Sequence, residues 1–185
     1  RALISERLLN LVRCPDCRGR LDGSASELWC IRCGSRFPRT APDHLVLQPQ
    51  KAYDETTKFL EEGFHADGRD ETVSPPLLSA GVRNAMLRTF LQARPGEVVL
   101  DLGCGSGRFG VWNLDSGAHV VGIDTGAFFA VEAKEKVDLL VGDLRRLPLA
   151  DASIDKAYTI DVLEHFSPEG LLEMLRTKGY TVSQM

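Results

Sequence analysis

One stretch constrains the fold of this chain more than any other: residues 98–110, which read VVLDLGCGSGRFG. An apolar, β-branched run contains one aspartate, Asp101, and leads into glycines at alternate positions, Gly103, Gly105 and Gly107. Glycine lets a backbone turn sharply and lets a ligand approach its N–H groups. The stretch therefore predicts a buried strand, a tight loop without side chains and the start of a helix.

The glycines can be placed in two registers. Gly105, Gly107 and Gly110 fit G-x-G-x-x-G, the fingerprint of dinucleotide sites. The alternative register, D-x-G-x-G-x-G from Asp101 to Gly107, resembles motif I of class I S-adenosylmethionine (SAM)-dependent methyltransferases. A glycine loop alone does not separate these two interpretations, and an ordinary tight turn is a third. The surrounding sequence has to decide.

From residue 97 onward, strand-like and helix-like patterns alternate, which is typical of a parallel sheet with crossover helices. A helix is expected near 107–115, with Gly117 suited to its C-terminal cap. We therefore predict an α/β fold with a doubly wound, mostly parallel, Rossmann-like sheet. The predicted strands are 97–102, 119–123, 137–141 and 154–160.

Each of the four predicted strands carries or precedes an aspartate: Asp101, Asp124, Asp143 and Asp161. Each one alone could be a helix N-cap. Ligands of open α/β sheets bind beyond the carboxyl ends of the strands, so together these acids would line one crevice. They suit the ammonium, sulfonium, ribose hydroxyls and exocyclic amine of SAM. A dinucleotide would use only Asp124, and Asp101 would repel its pyrophosphate, so the methyltransferase interpretation is favoured.

The resemblance to SAM-dependent methyltransferases covers about residues 51–177, and residues 147–155 are typical of the branch that acts on small molecules. It implies roles for individual residues. Asp101 would lie near the methionine amino group, Gly103, Gly105 and Gly107 would form the cradle, Asp124 and Thr125 would bind the ribose, Asp143 and the Leu144 backbone would contact adenine, and Asp161 would belong to the motif of the fourth strand. His165 is the candidate general base, although a histidine at a helix start is more often structural.

Two C-x-x-C pairs lie near the N-terminus: Cys14 with Cys17 and Cys30 with Cys33. This spacing predicts a four-thiolate zinc site, with two structural disulfides as the alternative. Residues 3–48 resemble a small zinc ribbon found as the activator subunit of tRNA and protein methyltransferases. We expect the zinc to be structural. We also expect Cys30→Ser to unfold the ribbon and to spare the second domain.

The predicted domains are a zinc ribbon over 1–49 and a methyltransferase domain over 50–185, which divides into a helical lead-in at 51–95 and an incomplete core at 96–185. In the ribbon we expect a short helix over 3–12 and a last strand at 44–47. In the lead-in we expect helices over 51–62 and 77–92 and a loop over 67–76. The second of these helices would carry Val82, Ala85, Met86 and Phe90 on one face. Tyr53 and His65 are weaker candidates for the site.

The resemblance requires further strands after residue 177, but only Tyr180–Met185 follows Gly179, and this piece is typical of a later strand. Either the chain is truncated or an internal segment is absent from the sequence. We favour the second, because a protein with half a parallel sheet would have a long unpaired edge. The C-terminal part of the sheet is thus expected to be missing from this chain.

The distribution of charge along the chain helps to decide between RNA and a small molecule as the methyl acceptor. The formal charge is +3 over residues 1–50 and −7 over 51–185. Four thiolates with one Zn²⁺ would bring the ribbon to about +1. We therefore favour a small-molecule acceptor over RNA. A non-catalytic module that docks a partner is the alternative from another class.

With no signal-peptide pattern and no long apolar run, we expect a cytoplasmic protein that does not enter membranes.

Overall fold

The structure is a computed structural model, and it describes residues 4–50, 77–163 and 166. Within these ranges there are a three-stranded antiparallel sheet and a five-stranded parallel sheet. The helices are α1 (Glu6–Leu11), α2 (Leu77–Leu91), α3 (Arg108–Asn113) and α4 (Val131–Lys136), with 3-10 turns at Leu114–Ser116 and Leu144–Arg146. The strands are β1 (Leu21–Gly23), β2 (Glu27–Cys30), β3 (Arg36–Pro38), β4 (His44–Val46), β5 (Val98–Leu102), β6 (His119–Asp124), β7 (Asp138–Val141) and β8 (Lys156–Thr159).

The parallel sheet has the strand order β4-β7-β6-β5-β8. All five residues of β5 are buried, as a strand covered on both faces requires. Gly117 ends the 3-10 turn after α3 in a left-handed conformation, with φ 75°, and its N–H donates to the carbonyl of Leu114. The predicted fold class, a doubly wound α/β sheet with a small N-terminal ribbon, is confirmed.

The predicted strand at 44–47 exists, but its assignment to the ribbon is wrong. It forms β4, which pairs in parallel with β7 through His44 opposite Leu139 and Val46 opposite Val141. Leu45 and Leu47 are 1% and 0% exposed. An almost continuous apolar run is typical of a strand covered on both faces, which the small ribbon sheet does not provide. The boundary near residue 49 stays a prediction.

The ribbon and α1 cover one face of the parallel sheet. Leu8 and Val12 of the α1 segment belong to the same buried cluster as Leu100 and Ile123 of the sheet. Backbone hydrogen bonds join the two parts: Arg13 N–H donates to Pro148 O at 2.8 Å, and Ala150 N–H donates to Leu11 O at 2.8 Å. The other face carries α2, α3 and α4, whose buried residues pack against β5, β6, β7 and β8.

Helix α2 exposes the apolar face that the sequence suggested. Val82, Met86 and Phe90 are 56%, 55% and 61% exposed, whereas Leu87 and Leu91 pack on the sheet. The buried side of α2 includes a polar residue, Asn84, whose side chain accepts a hydrogen bond from Asn113 Nδ2 at 3.0 Å. Because Asn84 is polar, the buried side of α2 does not stand out in the sequence as a continuous stripe of apolar residues.

Several expectations lie outside the described residues. They concern the helix over 51–62, the loop over 67–76, Tyr53, His65, His165 and the chain after residue 166. Among the helices that the structure does describe, none is long and apolar enough to cross a bilayer.

Candidate functional site

The glycine loop joins β5 to α3 and has room for no side chain at two of its positions. Gly103 and Gly107 have φ angles of 72° and 78°. A Cβ at Gly103 would lie 2.3 Å from Val162, and one at Gly107 would lie 2.6 Å from Ala133. Gly105, with φ 53°, faces open space instead. The loop thus packs tightly at both ends and leaves its middle accessible to a ligand.

Asp101 lies beneath this loop and is 3% exposed. Its Oδ2 atom has no hydrogen-bond partner within the described part of the chain. The pKa of the Asp101 carboxyl is raised from 3.8 to about 7. Burial is the largest cause and the charge of Asp124 adds to it, whereas a contact with the Tyr158 hydroxyl acts in the opposite direction. A buried carboxyl with a free acceptor atom fits a ligand that brings a positive charge.

Asp124, at the end of β6, shapes the loop directly. Its Oδ2 accepts from the N–H of Gly105 at 2.7 Å, and its Oδ1 accepts from the N–H of Thr125 at 2.7 Å. Oδ1 also accepts from the Thr125 hydroxyl at 3.3 Å. Each carboxylate oxygen can accept about two hydrogen bonds, so Oδ2 retains capacity for a further donor. The predicted ribose acid therefore also holds the middle of the glycine loop.

Asp143 follows β7 and caps the 3-10 turn Leu144–Arg146 by accepting from the N–H of Arg145 at 2.8 Å. The Arg145 guanidinium also pairs with it, with Nη2 to Oδ2 at 2.8 Å. Leu144 is 4% exposed and packs in the core on the ribbon side. Gly142 N–H donates to Asp124 O at 2.9 Å, so the loops that carry Asp124 and Asp143 are joined.

Asp161 is less closely tied to this arrangement. It lies just beyond β8 with φ 54°, its side chain is 61% exposed, and it forms an ion pair with Arg83 of α2. The structure thus brings Asp101, Asp124 and Asp143 to one edge of the sheet around the glycine loop, and it places Asp161 at the rim.

Sequence reasoning missed three residues beside these acids. Tyr158 is the register partner of Asp101 on β8, and strand alternation could have placed it there. Arg145 follows Asp143 by two residues, a separation that a 3-10 turn brings into contact. Gln48 gave no signal in the sequence. Its Nε2 donates to the carbonyl of Thr125 at 3.1 Å, which joins the segment after β4 to the loop after β6.

The four N-terminal cysteines form a second candidate site. The sulfur atoms of Cys14, Cys17, Cys30 and Cys33 all lie within 4.8 Å of one another. The Sγ atoms of Cys14 and Cys33 are 3.6 Å apart, and those of Cys17 and Cys30 are 3.4 Å apart. All five cysteines are free, so the disulfide alternative does not describe this structure. A tetrahedral ion with Zn–S bonds of about 2.3 Å needs sulfur separations of roughly 3.8 Å, which this cluster approaches.

Polar neighbours support the thiolates. Arg32 N–H donates to Cys30 Sγ at 3.4 Å. The Cys33 Sγ donates to the Ser35 hydroxyl oxygen at 3.2 Å. Hydrogen bonding with the Ser35 side chain and backbone lowers the pKa of the exposed Cys33 thiol to about 6. The Ser35 hydroxyl in turn donates to Asp16 Oδ2 at 2.9 Å. Such contacts orient the ligands of a zinc ion. Burial, in contrast, raises the pKa of the Cys14 thiol to about 12 and also raises the pKa of Cys17.

Comparisons with known proteins found a family match for each part of the chain. Residues 99–178 match the family described as "Methyltransferase domain", and residues 5–38 match the family described as "Trm112p-like protein". Residues 99–178 are thus similar to a methyltransferase domain. The methyltransferase interpretation of the glycine loop and the zinc-ribbon interpretation of the N-terminus are confirmed at this level.

Individual relatives of the methyltransferase domain differ in their acceptors. Demethylmenaquinone methyltransferase from Beutenbergia cavernae is 38% identical over 108 residues, which are 54% of this chain and 45% of that protein. "Probable tRNA methyltransferase 9B" from Mus musculus is 34% identical over 83 residues, which are 44% of this chain and 18% of that protein. The chain thus spans less than half the length of these curated relatives.

A similar solved structure is that of the Burkholderia thailandensis 1,6-didemethyltoxoflavin-N1-methyltransferase, which contains bound S-adenosylhomocysteine (SAH). It is 29% identical, with a TM-score of 0.47, and the match covers 59% of this chain and 48% of that chain.

Proposed function

We propose that the protein is a SAM-dependent methyltransferase with a structural zinc ribbon. The observation that carries the proposal is the partnerless Oδ2 of buried Asp101 beneath an accessible glycine loop. An anionic ligand would be repelled by the ionised carboxyl, whereas an α-ammonium group would both donate to this acceptor and pair with its charge. Asp124 and Asp143 add acceptors where the ribose hydroxyls and the adenine amine of SAM would lie.

In this proposal SAM supplies a methyl group on a positively charged sulfur, and the protein supplies position. Gly103, Gly105 and Gly107 let the backbone approach the methionine part, and Thr125 and the Leu144 backbone complete the contacts. Transfer is an in-line displacement, so orientation and exclusion of water provide most of the rate. His165 remains the proposed base for an acceptor that arrives protonated, and Asp161 remains a candidate at the acceptor side of the site.

The proposed acceptor is a small molecule. RNA binding needs Lys and Arg groups that are free to contact phosphates. On the ribbon, Arg18 pairs with Asp151, Arg36 pairs with Glu27, and Arg39 donates to the carbonyl of Ser24. An RNA acceptor is the second candidate, because one of the relatives is named as a tRNA methyltransferase.

Ligand binding tests the proposal. SAM and SAH should raise the melting temperature in proportion to the logarithm of their concentration, and NAD should not. Asp101→Asn, which keeps the size of the side chain, should weaken SAH binding by at least tenfold. A lack of any shift with SAM or SAH would overturn the proposed function. Binding of SAH by a protein that methylates no member of a broad acceptor panel would instead favour the non-catalytic alternative.

Filter binding across a salt series separates the two acceptor classes. We expect bulk RNA to bind weakly at physiological salt, and reversal of charge at Arg36 and Arg39 to leave turnover of the true acceptor almost unchanged. Tight RNA binding that falls by several orders of magnitude between low and moderate salt would replace the small-molecule proposal with an RNA methyltransferase.

A further inference from the structure

Two buried polar atoms without a partner belong to neighbouring residues of the parallel sheet. Asp101 on β5 and Tyr158 on β8 are register partners, so their side chains project from the same face of the sheet. The two residues are 3% and 7% exposed. Neither Asp101 Oδ2 nor the Tyr158 hydroxyl has a hydrogen-bond partner within the described part of the chain. Buried polar atoms without partners are costly and uncommon, so two on paired residues call for an explanation.

The packing around the pair makes Tyr158 the neighbour that can act on Asp101. The tyrosine ring belongs to the buried cluster that α2 forms on β5, so its position is fixed and its hydroxyl is the polar group that remains. On the other side, the register partner of Asp101 is Gly122, which has no side chain. A Cβ at Gly122 would lie 2.9 Å from Cys104 Sγ, so Cys104 fills that side.

The groups that face Asp101 determine how readily it ionises. Burial and the negative charge of Asp124 on β6 raise the pKa of Asp101 to about 7, against the effect of the Tyr158 hydroxyl. Burial also raises the pKa of Tyr158 and of the Cys104 thiol, so both stay neutral and Tyr158 keeps a hydrogen to donate. Basic side chains on this face of the described structure have other partners: Arg83 pairs with Asp161, Arg88 with Asp115 and Lys156 with Glu97, and Arg108 lies over the ring of Trp112.

We propose that Tyr158 is a positioning residue that supports the ionised form of Asp101 when the ammonium group of the cofactor binds, so that binding drives a proton from the Asp101 carboxyl into solvent. This inference rests on the proposed function, because it assumes that the ammonium group lies at Asp101. The O–H bond of the carboxyl breaks and its proton passes to the buffer. The carboxylate then accepts hydrogen bonds from the ammonium group and from the Tyr158 hydroxyl. Tyr158 thereby sets the pH range of proton release, because a donated hydrogen bond favours the carboxylate.

Calorimetric titration with SAH in buffers of different ionisation enthalpy counts the protons released on binding. Because the pKa of Asp101 is about 7, the wild type should release roughly 0.9 proton per SAH at pH 6 and roughly 0.1 at pH 8. Tyr158→Phe removes only the hydroxyl and should raise the pKa of Asp101 by about one pH unit. This variant should still release roughly 0.5 proton at pH 8. Its affinity for SAH should be about tenfold weaker than that of the wild type at pH 6 and within about twofold of it at pH 8.

Two further variants serve as controls. Thr159 Oγ1 is also buried without a partner in the described residues, but Thr159 follows Tyr158 along β8 and projects from the opposite face. Thr159→Val is therefore the matched control and should keep the wild-type proton counts. Asp101→Asn has no carboxyl proton to release, so its count at pH 6 should be lower than that of the wild type by roughly 0.9. An unchanged count in Asp101→Asn would place the proton elsewhere and overturn the inference.

Each other outcome has a distinct meaning. A wild type that binds no SAH overturns the proposed function and this inference with it. A Tyr158→Phe variant with the wild-type proton counts overturns the inference alone, even if it binds SAH more weakly by the same factor at both pH values, because a purely structural contact would give that result. Should Tyr158→Phe fail to fold, Tyr158→Met, with a flexible apolar side chain, decides the question, and wild-type proton counts there overturn the inference.

Discussion

At the scale of single residues, Asp101 shows how a site can be marked by an unfavourable environment. A carboxyl at 3% exposure without a full set of partners costs free energy in the ligand-free protein. Burial raises its pKa from 3.8 to about 7, so the folded protein retains a proton that the unfolded chain releases above pH 4. Because this carboxyl destabilises the ligand-free protein, we infer that its role is in ligand binding.

This linkage predicts the sign of a stability change. Because the folded-state pKa is raised, the stability of the wild type should fall as pH rises from about 4 to about 7 and then level off. Asp101→Asn removes that dependence. Between pH 5.5 and 8 the wild type should lose about 2 kcal/mol relative to Asp101→Asn. Urea unfolding at both pH values measures this difference, and a variant that is relatively less stable at pH 8 would contradict it.

At the scale of elements, the attachment of α1 to the sheet has a direct energetic consequence. Leu8 is 0% exposed and lies in one cluster with sheet residues such as Leu100. Leu8→Ala should therefore lower the free energy of unfolding of the whole described core by about 2–5 kcal/mol. The exposed Asn10, on the same helix, provides the control, and Asn10→Ala should change stability by less than about 0.5 kcal/mol. An independent ribbon would instead give two transitions, with only the weaker one affected by Leu8→Ala.

The elements also show what could be predicted from the sequence. The glycine loop and the paired cysteines were predictable, because backbone sterics and metal geometry act over a few residues. The partner of β4 was not, because its pairing with β7 joins segments about 95 residues apart. The buried side of α2 was obscured by Asn84, whose partner Asn113 lies 29 residues further on. The pairing of Arg145 with Asp143 depends on a 3-10 turn that the sequence did not indicate.

At the scale of the whole molecule, the zinc site belongs to the main core. Cys14 and Cys30 lie in the same buried cluster as Leu45, Leu100 and Ile123. The expectation that Cys30→Ser would spare the second domain does not fit this arrangement. We now expect loss of the metal to lower the stability of the parallel sheet as well, because structural zinc contributes directly to folding.

The two tryptophans allow a sharp test of this expectation. Trp29 lies on β2 of the ribbon, and Trp112 lies on α3 beside the parallel sheet. In Trp29→Phe and Trp112→Phe variants, the remaining tryptophan reports on one part at a time. Removal of zinc by a chelator should shift both fluorescence melting curves to lower temperature by a similar amount. A shift of the Trp29 signal alone would show that the ribbon unfolds independently.

The segment after β4 contacts both the ribbon and the proposed cofactor site. Gln50 N–H donates to Asp16 Oδ1 of the ribbon at 3.0 Å, Gln48 contacts Thr125, and the Leu47 carbonyl packs beside Gly142. If these contacts couple the two sites, the effects of zinc and SAH on each other's binding must be reciprocal. By whatever factor bound zinc increases the affinity for SAH, bound SAH must increase the affinity for zinc. Metal uptake and cofactor supply would then reinforce each other, and saturating SAH should raise the concentration of chelator needed to strip half of the metal.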